Sequence, residues 1–129
     1  MDATTIKCQA LMVGDWIADN NGFQWQITNV GEDYAYATFE GNDGDPWEFD
    51  DKDDQPEPII LTPEILEKNE WWFNTEDMWQ HYEVEFCIEK WKGRFQCYDI
   101  TDIKLDSVHQ LQQTLRLCGL NELANNFKI

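Results

Sequence analysis

Basic residues are scarce in this sequence, and their scarcity narrows the classes of partner. The 129 residues include 9 Lys and Arg against 26 Asp and Glu, a formal net charge of −17. Affinity for DNA or RNA rests on cationic side chains that neutralise phosphates, so direct nucleic-acid binding is not expected. The same charge repels anionic membranes and speeds encounter with basic partners. In most acidic proteins, surplus charge serves only solubility, and that interpretation stays open.

The sequence also lacks the features of membrane insertion, secretion and metal binding. It has no apolar run of about 18 residues and no basic segment followed by an apolar one at its start, so we predict a cytoplasmic protein. No cofactor or metal is expected. The pair Asp43 and Asp45 resembles the start of a calcium loop, but Trp47 and Glu48 stand where further ligands are needed. The widely spaced cysteines are expected to be reduced thiols: Cys8, Cys87, Cys97 and Cys118.

A catalytic constellation is missing as well. Histidine occurs only at His81 and His109. His109 lies one position off the apolar face of a predicted helix, and His81 is expected at a strand end or an interface. Carboxylates are so abundant that pairs arise by chance, and none is marked as desolvated beside a partner. We therefore predict a protein that is not an enzyme, with a small hydrolase as the least favoured alternative.

The first half of the chain predicts short antiparallel strands. Residues 23–28 alternate apolar and polar side chains, which is typical of a half-buried strand. Further strands are predicted at 16–17, 34–39 and 47–49. The turn signal Asn20-Asn21-Gly22 and the later Gly31 separate them. Short strands at this spacing indicate a small twisted antiparallel sheet, as in a partly closed SH3-like barrel.

The second half predicts a helix, a hairpin and a second helix. Thr62 and Pro63 are typical of a helix start, and this helix should end near Asn69. Alternation up to Ile88, a turn at 90–93 and a return strand at 94–100 predict a β-hairpin. Ser107 caps a helix with Val108, Leu111 and Leu115 on one face and Gly119 after its end.

The chain as a whole is predicted to be one α+β domain, 1–129. It has a β-rich part at about 11–50, an acidic loop and linker at 42–58, and a helix–hairpin–helix part at about 59–129.

The most unusual stretch is Asn42 to Glu57, which holds eight carboxylates and one lysine. On an extended chain, alternate side chains lie about 6.6 Å apart on one face, so carboxylates there can mimic successive phosphates. Three adjacent aromatics at 71–73 cannot all point inward from one strand. The predicted partner-binding residues are Asp43, Asp45, Trp47, Glu48, Asp50, Asp51, Asp53, Asp54, Trp71 and Trp72. The alternative is a solvated loop with its aromatics in the core.

Three segments carry a resemblance to a known group of proteins. They are residues 13–17 (VGDWI), residues 58–69 (PIILTPEILEKN) and residues 108–119, which begin VHQLQ. They resemble, in content and order, small uncharacterised accessory proteins of Bacteroides-type bacteria, their phages and mobile elements. Those proteins usually carry a glycine and an aromatic after the central helix, where this chain has Glu70-Trp71-Trp72-Phe73. The resemblance implies a small cytosolic accessory protein of phage context, and it supplies no catalytic residues.

Charge, composition and resemblance together predict a non-enzymatic accessory protein. It would bind a basic surface of a host nucleic-acid-handling protein, such as a nuclease or a ribonucleoprotein effector, in the manner of an anti-CRISPR inhibitor. The alternative is a structural or assembly accessory that forms homo-oligomers through the aromatics at 71–73. Neither the identity of the partner nor the oligomeric state follows from the sequence.

Overall fold

The computed structural model describes residues 6–39, 46–51, 56–73, 78–84, 86–91, 94–97 and 105–129. Its first sheet is an antiparallel meander of four strands in chain order. They are β1 (Trp16–Ala18), β2 (Gln24–Val30), β3 (Tyr34–Phe39) and β4 (Trp47–Asp50). All four were predicted. In the described residues β1 and β4 stay at opposite edges of this sheet, so no closed barrel forms and the SH3-like partial barrel is not confirmed.

The turn between β1 and β2 follows from its short polar residues. One oxygen of Asp19 accepts hydrogen bonds from the backbone N–H groups of Asn21 (2.8 Å) and Phe23 (2.9 Å). Gly22 has φ +84°, a conformation that a residue without a Cβ adopts easily. The predicted turn is therefore confirmed. The sheet also contains a bulge, which lies between Ile27 and Asn29 rather than at Gly31.

A second four-stranded antiparallel sheet follows, and only half of it was predicted. It comprises β5 (Trp71–Phe73), β6 (Met78–His81), β7 (Cys87–Trp91) and β8 (Arg94–Cys97). Strands β7 and β8 form the predicted hairpin, with Trp91 opposite Arg94. The alternation up to Ile88 predicted one continuous arm, but β6 ends at His81 and the chain bends at 82–84. The backbone N–H of Tyr82 bonds to the carbonyl of Glu70, which closes the β5–β6 ladder before the bend.

Three short helices complete the described structure: α1 (Pro63–Lys68), α2 (Val108–Leu117) and α3 (Asn121–Asn125). The Thr62 hydroxyl accepts a hydrogen bond from the N–H of Ile65 (3.3 Å), as its N-cap position predicts. Ser107 and Gln110 form a capping box at the start of α2. Helix α3 was not predicted, although Phe127 just after it is buried, as expected of an anchor. None of the described helices is long and apolar enough to cross a membrane.

The apolar core consists of two clusters. The larger, which we term the main cluster, joins the second sheet to the helices and includes Trp71, Leu111 and Leu115. The smaller lies under the first sheet and is built around Cys8, Ile17, Ile27, Ala35, Ala37 and Phe49. Strand β1 contributes to both, because Trp16 faces the main cluster and its neighbour Ile17 faces the smaller one.

A buried carboxylate ties the start of β1 to α2. Asp15 has no exposed surface. One of its oxygens accepts from Arg116 at 2.6 Å, and the other accepts from the backbone N–H of Met12 (2.9 Å) and the side chain of Gln113 (2.7 Å). The charge is thus paired and hydrogen-bonded, as a buried carboxylate requires.

Gln112 makes a second connection between the same two regions. Its side chain is fully buried. The amide oxygen accepts from the backbone N–H of Trp16 (2.9 Å), and the amide nitrogen donates to the carbonyls of Gly14 (2.8 Å) and Ala124 (3.0 Å). Residues 13–17 and 108–119 therefore contact each other through buried hydrogen bonds. An apolar residue in place of Gln112 would leave their backbone partners unsatisfied, which is costly.

The residue after α1 adopts an unusual backbone conformation. Glu70 has φ +67°, and among the described residues it alone combines a positive φ with a side chain. A Cβ in this left-handed conformation is crowded, which is why glycine is favoured there.

Candidate functional site

Strand pairing builds an acidic surface on the first sheet. In the β3–β4 register Tyr36 lies opposite Glu48, and Tyr34 lies opposite Asp50. The intervening residues Ala35, Ala37 and Phe49 are buried on the other face. Because side chains alternate along a strand, the two cross-strand pairs, Tyr36 with Glu48 and Tyr34 with Asp50, share the outer face. We term Tyr34, Tyr36, Glu48 and Asp50 the acidic–tyrosine face.

Tyr36 and Glu48 form a hydrogen-bonded pair across the two strands. The negative charge of Glu48, with smaller contributions from desolvation and from the hydrogen bond, raises the pKa of the Tyr36 phenol above its usual value. The two tyrosine rings also contact each other edge to face, with centroids 5.8 Å apart.

The carboxylate of Asp51, which was predicted to contact a partner, accepts a hydrogen bond from elsewhere in the chain. Its Oδ1 accepts a hydrogen bond from the backbone N–H of Cys8 at 2.8 Å. The Cys8 thiol is fully buried and points to the carbonyl of Phe49. Burial, the hydrogen bond with Asp51 and nearby carboxylates raise the pKa of this thiol to about 12. Asp51 thus fixes the short 3-10 helix Cys8–Ala10 against β4, and the cysteine is an inert thiol.

Trp47 faces the core side of the sheet. Its ring centroid lies 4.6 Å from that of Phe49 and 5.5 Å from that of Trp25, and it packs on the smaller cluster. The side chain is half-buried, so part of it remains accessible at the edge of the sheet. Trp47 therefore does not share the acidic–tyrosine face, although it lies on the same strand as Glu48.

The two predicted tryptophan anchors occupy opposite faces of β5. Trp71 is 2% exposed and packs edge-on against His81 and Phe86, with centroids 5.1 and 5.7 Å away. Its prediction as a surface anchor is corrected, because an aromatic this deep in the main cluster has no surface for a partner. Trp72 is 37% exposed. With Tyr82, also exposed and 6.3 Å away between ring centroids, it forms what we term the edge aromatic patch. Phe73, also exposed, lies on the other face and packs against Trp79.

The remaining predicted residues, Asp43, Asp45, Asp53 and Asp54, lie outside the described residues. In the sequence they flank β4 on both sides. Strand pairing also adds residues that the sequence reasoning missed. Tyr34 and Tyr36 join the face through their β4 partners, and Asp33 is close enough to Cys8 to influence its thiol together with Asp50 and Asp51. The signal that would have identified them is the meander order, which pairs β3 with β4.

Comparisons with known proteins supply no further assignment, because no protein-family model, curated protein or solved structure matches the chain. Across the described ranges, no group of three or more His, Cys, Asp or Glu residues is arranged to hold a metal ion. What the described residues form here is an anionic surface with two phenol groups.

Proposed function

We propose that this chain is a non-enzymatic cytoplasmic accessory protein that binds a basic surface of a host nucleic-acid-handling protein. A nuclease or a ribonucleoprotein effector would be the target, and the chain would act as an anti-defence inhibitor of the anti-CRISPR kind. Such targets hold their nucleic acid in cationic grooves. A protein with a net charge of −17 is drawn to the same grooves.

The observation that carries the proposal is the acidic–tyrosine face. Glu48 is exposed and Asp50 half-buried, and the two lie on one face two positions apart on β4. Carboxylates at i and i+2 on a strand are about 6.6 Å apart, comparable with the separation of successive phosphates along a nucleic-acid strand. The neighbouring phenols of Tyr34 and Tyr36 add flat, rigid contact area of the sort that dominates protein interfaces.

The sequence on both sides of β4 supplies further carboxylates. Asp43 and Asp45 precede β4, and Asp53 and Asp54 follow it, so the strand is bracketed by carboxylates. Asp51 is better regarded as a structural residue, since it holds the backbone of Cys8. Binding is expected to rest on charge steering and to weaken steeply as salt screens it.

The test is an affinity capture from a bacterial host lysate with matched charge variants. Glu48→Gln with Asp53→Asn (the β4 variant) removes one charge on β4 and one that follows it in the sequence. Glu64→Gln with Glu67→Gln (the α1 variant) removes two from α1. We expect the native chain and the α1 variant to retain a nucleic-acid-handling protein that duplex DNA displaces, and the β4 variant to retain at least several-fold less. Equal retention by both variants, or retention that DNA does not affect, contradicts the proposal.

The alternative function, a homo-oligomeric assembly protein, is favoured by one observation. The edge strand β5 exposes Trp72 and Phe73, one on each face, and Trp72 continues into Tyr82 as the edge aromatic patch. Salt separates the two functions, because it weakens attraction between opposite charges but relieves repulsion between two acidic copies. Light scattering at low and high salt is the measurement. If assembly is the function, the mean molar mass should rise as salt is added; if it is not, the protein should be a monomer at every protein concentration.

A further inference from the structure

A cavity of about 410 Å³ lies beside the turn that joins β1 to β2. Its lining combines two tryptophans, one carboxylate and short polar residues: Asp19, Asn20, Asn21, Trp25, Pro46 and Trp47. The volume falls within the range of about 300–1,000 Å³ that is usual for small-molecule sites. None of the four residues of the acidic–tyrosine face lines this cavity, so it is separate from the surface on which the proposed function rests.

Two indole rings form the apolar wall of the cavity. Trp25 and Trp47 are half-buried, with ring centroids 5.5 Å apart and ring planes inclined at 54°. Both pack against the smaller cluster, which fixes the rings while part of each stays accessible. The face of an indole ring attracts cations more strongly than the face of any other aromatic side chain, and sites for alkylated ammonium groups are built from such rings.

A carboxylate stands at the edge of one of these rings. Asp19 Oδ2 accepts a hydrogen bond from Nε1 of Trp25 at 2.9 Å. Its Oδ1 accepts from the backbone N–H groups of Asn21 (2.8 Å) and Phe23 (2.9 Å). These neutral donors hold the negative charge beside the indole without cancelling it. A cation in contact with the ring of Trp25 is therefore also close to a carboxylate, and both groups attract it.

The hydrogen bonds of Asp19 restrict the kind of cation. A carboxylate has about four acceptor positions, and three donors already occupy positions on Asp19. Little acceptor capacity is left for a guanidinium, which bonds to two oxygens, or for a metal ion, which needs several oxygen ligands. A quaternary ammonium group needs no acceptor, since its charge lies beneath methyl groups that can contact the indole faces. The cavity therefore suits a cation of this type.

We propose that this cavity binds a small molecule that carries a quaternary ammonium group. The methyl groups on its nitrogen contact the rings of Trp25 and Trp47, and the carboxylate of Asp19 balances its charge. The net charge of −17 on the chain favours the approach of such a cation.

The test is NMR of the tryptophan indole N–H groups, with choline chloride as the probe. Sodium chloride is the salt control, and the neutral control is the uncharged alcohol in which carbon replaces the nitrogen of choline. Trp25→Phe assigns the indole signal of Trp25. We expect choline to shift this signal saturably, and the neutral alcohol to bind at least several-fold more weakly. The signal of Trp72, which is exposed on the second sheet, should not change.

Matched variants then test each wall of the cavity. Trp47→Leu and Asp19→Asn should each weaken choline binding several-fold. Their controls, Trp72→Leu and Asp33→Asn, replace exposed residues outside the cavity and should leave binding unchanged. Backbone amide spectra establish which variants are folded, and the neutral alcohol tests the role of charge in the native chain without any substitution.

Three results with the native chain overturn the proposal: no response at Trp25, equal affinity for choline and the neutral alcohol, or an equal shift at Trp72. The second of these would mean that the cavity is only an apolar surface, and the third that choline adds to exposed rings without a site. Equal binding by the folded cavity variants and their controls overturns the proposal as well.

Discussion

Two edge strands of this molecule, β4 in the first sheet and β5 in the second, differ in the side chains that they expose. An edge strand has unpaired backbone groups that invite association, and charged side chains are the usual protection. Strand β4 carries Glu48 and Asp50 on its outer face. Strand β5 carries Trp72 and Phe73, exposed and uncharged. The comparison shows that the exposed face of β4 carries carboxylates, whereas the exposed side chains of β5 carry no charge.

The largest expected effect separates the two faces of β5. Trp71→Ala should destabilise the fold by about 3–5 kcal/mol, because it leaves a large cavity in the main cluster. Trp72→Ala should cost no more than about 1 kcal/mol, since its side chain is on the surface. Urea denaturation measures both. A cost for Trp72 equal to that for Trp71 would mean that the edge aromatic patch is part of the core, and the comparison between the edges would fail.

The second prediction separates a buried acid from the acids of β4. Asp15→Asn should destabilise by about 3 kcal/mol, because Arg116 would then be a buried charge without a carboxylate. Glu48→Gln should change stability by no more than about 0.5 kcal/mol, as is usual for a surface substitution. Thermal unfolding with the same buffer for both variants checks this. If Glu48→Gln is the more damaging, the acidic–tyrosine face is a structural feature and not a free surface.

Local sequence patterns predicted most of the strands and helices. Which side chains share a face depends on strand pairing, which those patterns do not show. Strands β1 to β4, α1, the hairpin and α2 were predicted because turn residues, caps and alternation act within a few residues, as at Thr62 and Ser107. The outer face of β4 required knowing that Tyr36 lies opposite Glu48, which is a non-local fact. Trp71 and Trp72 are the same residue type at adjacent positions, so composition could not say which is buried.

Local sequence patterns also could not show which of the acids has a structural role. Asp51 looks like its acidic neighbours in the sequence, yet its Oδ1 accepts a hydrogen bond from the backbone N–H of Cys8, 43 residues away. His81 was expected at a strand end, which is where it lies.

The third prediction concerns the thiol beneath β4. The pKa of Cys8 rises from 9.0 to about 12 on folding, so the folded state keeps a proton that the unfolded state loses in this interval. Stability from this group is complete below pH 9 and is lost as the pH rises toward 12. Cys8→Ala should flatten the fall in stability over this range relative to the native chain. Tyr36, whose pKa is also raised, contributes a fall of the same sign to both proteins, so only the difference between them tests Cys8.

The smallest expected effect lies at the entry to β5. Glu70 holds a left-handed backbone, which costs a residue with a Cβ about 1–2 kcal/mol. Glycine removes that cost but loses about 0.5–1 kcal/mol more conformational entropy on folding, so Glu70→Gly should stabilise by roughly 0.5–1 kcal/mol. Glu70→Ala keeps the Cβ and removes the same charge, so it should bring no such gain. If alanine stabilises as much as glycine, the relief comes from removing a carboxylate from an acidic chain, and the backbone before β5 is not strained.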